Sequence, residues 1–121
     1  MPTAPDADPQ GPGAASPRLG DGTGDFLKAL ASETRQRVMA LFAGNAELTV
    51  GEVAQLAGMG QSTASEHLAL LRRGGLLVSV RDGKAVRYRA DTNRIIEHMD
   101  ALKDYLLRCC PPAGCGGGQG C

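Results

Sequence analysis

All four cysteines of this 121-residue chain fall in its last stretch, Cys109-Cys110-Pro111-Pro112-Ala113-Gly114-Cys115-Gly116-Gly117-Gly118-Gln119-Gly120-Cys121. Thiolates are soft ligands and select soft, thiophilic centres. Pro111-Pro112 must end any helix that reaches Cys110, because neither proline has an N–H and each restricts the residue before it. Ala113-Gly114 then lets the chain turn back. The loop is short, so little closure entropy opposes bringing Cys115 to the Cys109/Cys110 pair. Three sulfurs suit As(III) or Sb(III), whose lone pair leaves a three-sulfur pyramid with no need of a fourth ligand. Arsenic(III) with three thiolates is also neutral. Zinc or cadmium would want four ligands, and Cys121 could supply the fourth from its glycine tether. His98 lies eleven residues before Cys109, roughly 16 Å along a helix, too far to help. A tail that only cycles between thiol and oxidised forms is the alternative use of the same residues.

The element that must carry these thiols precedes them. Thr92 or Asn93 can cap a helix running to about Arg108. Ile95, Met99, Leu102 and Leu106 recur at helical spacing, and Ile96, Tyr105 and Leu107 widen the apolar face. That face can pack on the chain's own core, or it can join Phe26, Leu27 and Leu30 of a short helix over Asp25–Ala31 in a dimer interface.

Between those helices lies a reading head. Ser32 caps a helix from Glu33 to about Ala43, with Val38, Leu41 and Phe42 inward and Gly44-Asn45 as its stop. Thr49-Val50-Gly51-Glu52 fits a capping box, opening a helix through Ala57 with Val53, Leu56 and Ala57 inward. After the Gly58-Met59-Gly60 turn comes a helix in which Ala64, Leu68 and Leu71 can face the core. Its other faces begin with Gln61, Ser62, Thr63, Ser65, Glu66 and His67. Short hydroxyls and an amide can meet phosphates and base edges without bulk; the alternative is a solvated face capped by Ser62 or Thr63. Gly74-Gly75 ends this helix. Two alternating apolar runs follow, joined by Asp82-Gly83, a strong hairpin signal. The pattern is mainly α with a β-hairpin wing, a winged helix-turn-helix in the order α-α-α-α-β-β-α. Arg72 near the end of the reading helix and Arg81, Lys84 and Arg87 on the wing are the cations expected at DNA.

Net charge is zero, but it is segregated. Residues 1–66 carry four basic and eight acidic side chains, residues 72–94 seven basic and two acidic, and residues 95–121 two basic and three acidic. A basic block on an acidic chain is the electrostatic footprint of nucleic-acid binding. Residues 1–24, with five of the seven prolines and five glycines, cannot bury enough apolar surface to offset ordering and read as a disordered arm. The domain then spans 25–108, and 109–121 is a sensor tail. The first residues lack the basic start and apolar run of a signal peptide. No segment approaches the roughly 20 apolar residues of a membrane helix. A cytoplasmic location with reduced thiols is expected. A thiol enzyme would need an activating base or a phosphate-binding loop near the nucleophile, and neither is present.

The runs Leu30-Ala31-Ser32-Glu33-Thr34-Arg35-Gln36-Arg37-Val38 and Gln61-Ser62-Thr63-Ala64-Ser65-Glu66-His67-Leu68-Ala69-Leu70-Leu71-Arg72-Arg73-Gly74-Gly75-Leu76-Leu77, with Arg81-Asp82-Gly83-Lys84 and Tyr88, resemble the ArsR/SmtB family of metal-sensing repressors over about residues 25–108. The resemblance implies a homodimer on an inverted-repeat operator that leaves when its inducer binds. A family site on the helix before the reading helix is absent, because Thr49 and Gly51 stand where thiols would be. A zinc site opening Asp-x-His on the last helix lacks its histidine in Asp91-Thr92-Asn93. The vicinal Cys109-Cys110 with Cys115 is similar to the family's arsenite-binding arrangement, so As(III) or Sb(III) is the expected inducer. A cadmium, zinc or lead sensor that also uses Cys121, or a thiol-oxidation switch, is the alternative.

Overall fold

A computed structural model describes residues 19–113. Along them run α1 (Asp21–Leu30), α2 (Glu33–Ala40), a 3-10 turn (Ala43–Asn45), α3 (Val50–Ala57), α4 (Gln61–Arg73), β1 (Leu77–Asp82), β2 (Ala85–Ala90) and α5 (Thr92–Cys109). This is the expected order of a winged helix-turn-helix. Residues 20–99 form one compact unit, and the part of α5 from Asp100 onward belongs to a second.

The core of the first unit is built around α4. Ala64, Leu68 and Leu71 are fully buried there, against Phe26 and Ala29 of α1, Val38 of α2, and Val53 and Ala54 of α3. Each fully buried leucine contributes on the order of 1.5–3 kcal/mol relative to exposure. Leu76 and Leu77 close the core beneath the wing.

Local chemistry sets the boundaries. Ser32 Oγ accepts from Arg35 N at 3.3 Å and caps α2. Thr49 and Glu52 form the capping box of α3, with Glu52 N to Thr49 Oγ1 at 3.1 Å and Thr49 N to Glu52 Oε1 at 2.8 Å. α2 ends at Ala40, short of the expected Ala43, and Gly44 and Asn45 both take left-handed backbone (φ 71° and 64°). Leu41 is consequently only half-buried, while Phe42 reaches the core. Leu56 is 62% exposed, and Ala54 takes the core position expected of it. The eight-residue α3 presents a narrow inward face, which Val53 and Ala54 fill.

Three further expectations shift by a few residues. α1 begins at Asp21, four residues inside the segment read as a disordered arm, because Thr23 is buried and held by a long-range bond to His98. The hairpin loop is Gly83-Lys84, since Asp82 pairs with Ala85, and Gly83 supplies the positive φ of 63°. Asp91 rather than Thr92 or Asn93 caps α5, its Oδ1 accepting from Arg94 N at 3.3 Å.

Two contacts tie the elements together that composition does not disclose. Leu48 bridges to Tyr88, with N–H···O distances of 3.0 and 2.7 Å, so β2 is paired on both edges. His98 of α5 bonds through Nδ1 to Thr23 Oγ1 at 3.1 Å and stacks on Phe26 with ring centroids 5.0 Å apart. Gly75, at φ 79°, lies directly against this ring: a Cβ there would fall 2.7 Å from His98 Nε2.

Candidate nucleic-acid interface and thiol site

The first turns of α4 hold short polar side chains because its apolar residues are confined to one stripe. Gln61, Ser62, Thr63, Ser65 and Glu66 are exposed. Gly60 is the N-cap and makes no side-chain cap, so the hydroxyls of Ser62 and Thr63 are not used for capping. Val50 of α3 joins Gln61, Ser62 and Ser65 in lining a shallow open cleft. The first N–H groups of α4 lie at this end, and a helix N-terminus favours phosphate. His67 is half-buried, and its Nδ1 is buried without a hydrogen-bond partner.

The cations divide into two groups. Arg72, Arg81 and Lys84 are exposed, and no ion pair is formed by any of them among the described residues. Arg73 and Arg89, not singled out from the sequence, are exposed in the same way. Arg87 differs. It lies half-buried between Glu52 and Asp82, 3.9 Å from an oxygen of each. β-Alternation would have flagged it, because Asp82 pairs with Ala85 and so sits diagonally across the hairpin from Arg87 on one face.

Cys109 is the last residue of α5, and Cys110 N still donates to Leu106 O at 2.8 Å. Both are exposed free thiols. Tyr105 lies one turn before Cys109. That residue holds the Tyr105 phenol protonated above its ordinary pKa, first by hydrogen bonding to it and then by its charge when ionised. Cys115 and Cys121 lie outside the described residues, and so does the third sulfur of the expected site. Among the described residues no group of three or more His, Cys, Asp or Glu side chains is placed to hold a metal ion. Two adjacent exposed thiols fit a thiophilic metalloid and need one more sulfur to complete its pyramid.

The residues expected at a dimer interface separate by burial. Phe26 is 4% exposed and is engaged by the core and by His98, so its side chain is not available to a partner surface. Leu30 and Ile95 are partly buried against the same core. Leu27, Met99 and Leu106 are exposed, as are Ile96 and Leu107, and Leu102 is half-buried. α5 has no fully buried residue along its 18-residue length. No helix among the described residues is long and apolar enough to cross a membrane.

A helix-turn-helix domain family matches residues 30–80. The transcriptional activator HlyU of Vibrio cholerae is 36% identical over 77 residues, covering 64% of this chain and 70% of that protein. The arsenical resistance operon repressor of Escherichia coli is 42% identical over 64 residues, covering 53% of this chain and 55% of the repressor. Among solved structures, the chain is similar to a homodimeric winged helix-turn-helix DNA-binding domain from Mycobacterium bovis, described as a possible ArsR-family transcriptional regulator. That likeness has a TM-score of 0.58 and 28% identity, and it covers 78% of this chain and 85% of that one. These relatives are regulators rather than enzymes.

Proposed function

Because the chain belongs to the ArsR family of winged helix-turn-helix transcriptional regulators, we propose that it is a cytoplasmic repressor released from its operator by As(III) or Sb(III). The observation that carries this reading is the pair of exposed free thiols at the very end of α5. Cys109, Cys110 and Cys115 hold the metalloid. The resemblance between this chain and an arsenical resistance repressor supports the choice of inducer.

The working form is a homodimer. Leu27, Ile96, Met99 and Leu106, with the half-buried Leu102, supply the partner-facing surface; Phe26, Leu30 and Ile95 support it from beneath. Two reading helices then enter successive major grooves of an inverted repeat, one helical turn apart. Gln61, Ser62, Thr63, Ser65, Glu66 and His67 face the groove. Arg72, Arg81 and Lys84 meet phosphates. Closing Cys115 onto Cys109 and Cys110 rewrites the end of the dimer helix and moves the two reading heads out of register with the operator. Coupling of about 1–3 kcal/mol is enough for release.

The second reading, a thiol-oxidation switch, is favoured by the exposure of both described thiols. One experiment separates the two. Arsenite is titrated, with the protein kept fully reduced, into a complex with a fluorescent duplex recovered by selection from a random-sequence pool. Release under reducing conditions supports the metalloid sensor. Unchanged affinity, with release only on peroxide treatment, replaces it with the oxidation switch.

A further inference from the structure

We infer that Arg87 positions the wing rather than touching DNA: it is a strut that fixes the hairpin against the first helix of the helix-turn-helix pair. The inference rests on the DNA-binding reading above and deepens it.

Three contacts meet at one place. The Arg87 guanidinium lies 3.9 Å from Glu52 Oε1 on α3 and, through Nε, 3.9 Å from Asp82 Oδ2 on β1. Glu52 Oε1 is the same oxygen that accepts Thr49 N–H at 2.8 Å in the capping box. The next residue along β2, Tyr88, exchanges both backbone hydrogen bonds with Leu48, directly before that cap. The start of α3 is thus fastened to β2 by its backbone at Leu48–Tyr88 and by a side-chain bridge at Glu52–Arg87. Val50, one residue past the cap, lines the cleft shared with Gln61, Ser62 and Ser65. The angle between the wing tip and that cleft is therefore set where Arg87 sits.

Charge points the same way. Arg81 and Lys84 near the hairpin loop are exposed and carry no ion pair among the described residues, whereas Arg87 faces two carboxylates. Bringing phosphate to Arg87 would leave Glu52 and Asp82 facing the DNA backbone without a counterion. Partly exposed pairs of this kind are individually weak, so the effect on binding is modest, and the salt dependence is the sharper readout.

A cation that neutralises a phosphate releases counterions, and removing it lowers the slope of log affinity against log salt by about 0.9. The full-length protein is tested on the selected duplex across a salt series, as wild type, Lys84→Ala, Arg87→Gln, Glu52→Gln and the double variant Arg87→Gln/Glu52→Gln. Glutamine at 52 can still accept from Thr49, so α3 keeps its cap. Lys84→Ala is expected to lose about 0.9 of slope. Arg87→Gln is expected to weaken binding roughly two- to five-fold with the slope unchanged. Glu52→Gln should do the same, and the double variant should be no weaker than either single one. A slope loss at Arg87→Gln equal to that at Lys84→Ala, with Glu52→Gln binding as wild type, overturns the strut and makes Arg87 a phosphate contact. Failure of the wild-type protein to select or bind any duplex would instead overturn the DNA-binding reading itself.

Discussion

α4 and α5 are both amphipathic, yet the chain treats them in opposite ways. α4 sinks three residues to zero exposure and is boxed by α1, α3 and the start of the wing. α5 is longer, carries Ile96, Met99, Leu106 and Leu107 at 45–57% exposure, and buries no residue fully. A helix rich in apolar residues that its own chain leaves wet is made for a surface outside the chain. The reading helix is thus fixed by the fold, and under the proposed function the thiol-bearing helix is the element that a partner copy and an inducer would fix. A regulator needs that division: one element whose geometry is dependable and one whose geometry can be changed.

The contrast can be broken at its rigid side first. Leu68→Ala removes a fully buried side chain, and a loss of about 3–5 kcal/mol in urea unfolding is expected, a large share of the roughly 5–15 kcal/mol that holds a domain folded. On the other side, Met99→Glu should leave the fold in place by circular dichroism while loosening the dimer. Each copy contributes the residue, so about 3 kcal/mol or more, roughly a hundred-fold in the dimer constant, should appear in sedimentation equilibrium. An unchanged association state would return α5 to simple packing within one chain.

The thiols sharpen the comparison at lower energy. Cys115→Ser is expected to abolish arsenite-driven release, a loss of the whole coupling of about 1–3 kcal/mol, while Cys121→Ser retains it. Loss in both variants would favour a four-sulfur metal site. The smallest effect expected is at the cap of α2, where Ser32→Ala should cost about 1 kcal/mol in thermal unfolding with operator affinity unchanged.

The reading head was largely legible because its signals are local. The Thr49–Glu52 box, the Ala64/Leu68/Leu71 stripe and the turn glycine of the hairpin each depend on residues within a few positions of one another. The parts that escaped depend on distance in sequence. Thr23 looks like part of a glycine-rich arm until His98, seventy-five residues away, is seen against it. That pairing is why α1 starts early, while Phe26 faces inward because it packs in the core and stacks on the same His98 ring. Leu48 carries no strand pattern, because a single bridge to Tyr88 needs none. Strand alternation can pair Arg87 with Asp82, but its second partner, Glu52, thirty-five residues away, appears only in the fold. At the thiol site the spacing of Cys109, Cys110 and Cys115 points to soft-ligand chemistry, and Cys115 lies outside the described residues. The structure adds that the first two are exposed at the end of α5, with Tyr105 one turn before Cys109.

The most direct test is thermodynamic and reciprocal. Arsenite affinity of the reduced protein is measured by calorimetry, once free and once saturated with its selected duplex. Linkage requires the duplex to weaken arsenite binding by the same factor that arsenite weakens duplex binding, on the order of 5- to 150-fold. Equal arsenite affinity in the two titrations would mean that the thiols and the reading helices do not communicate, and the account would fail.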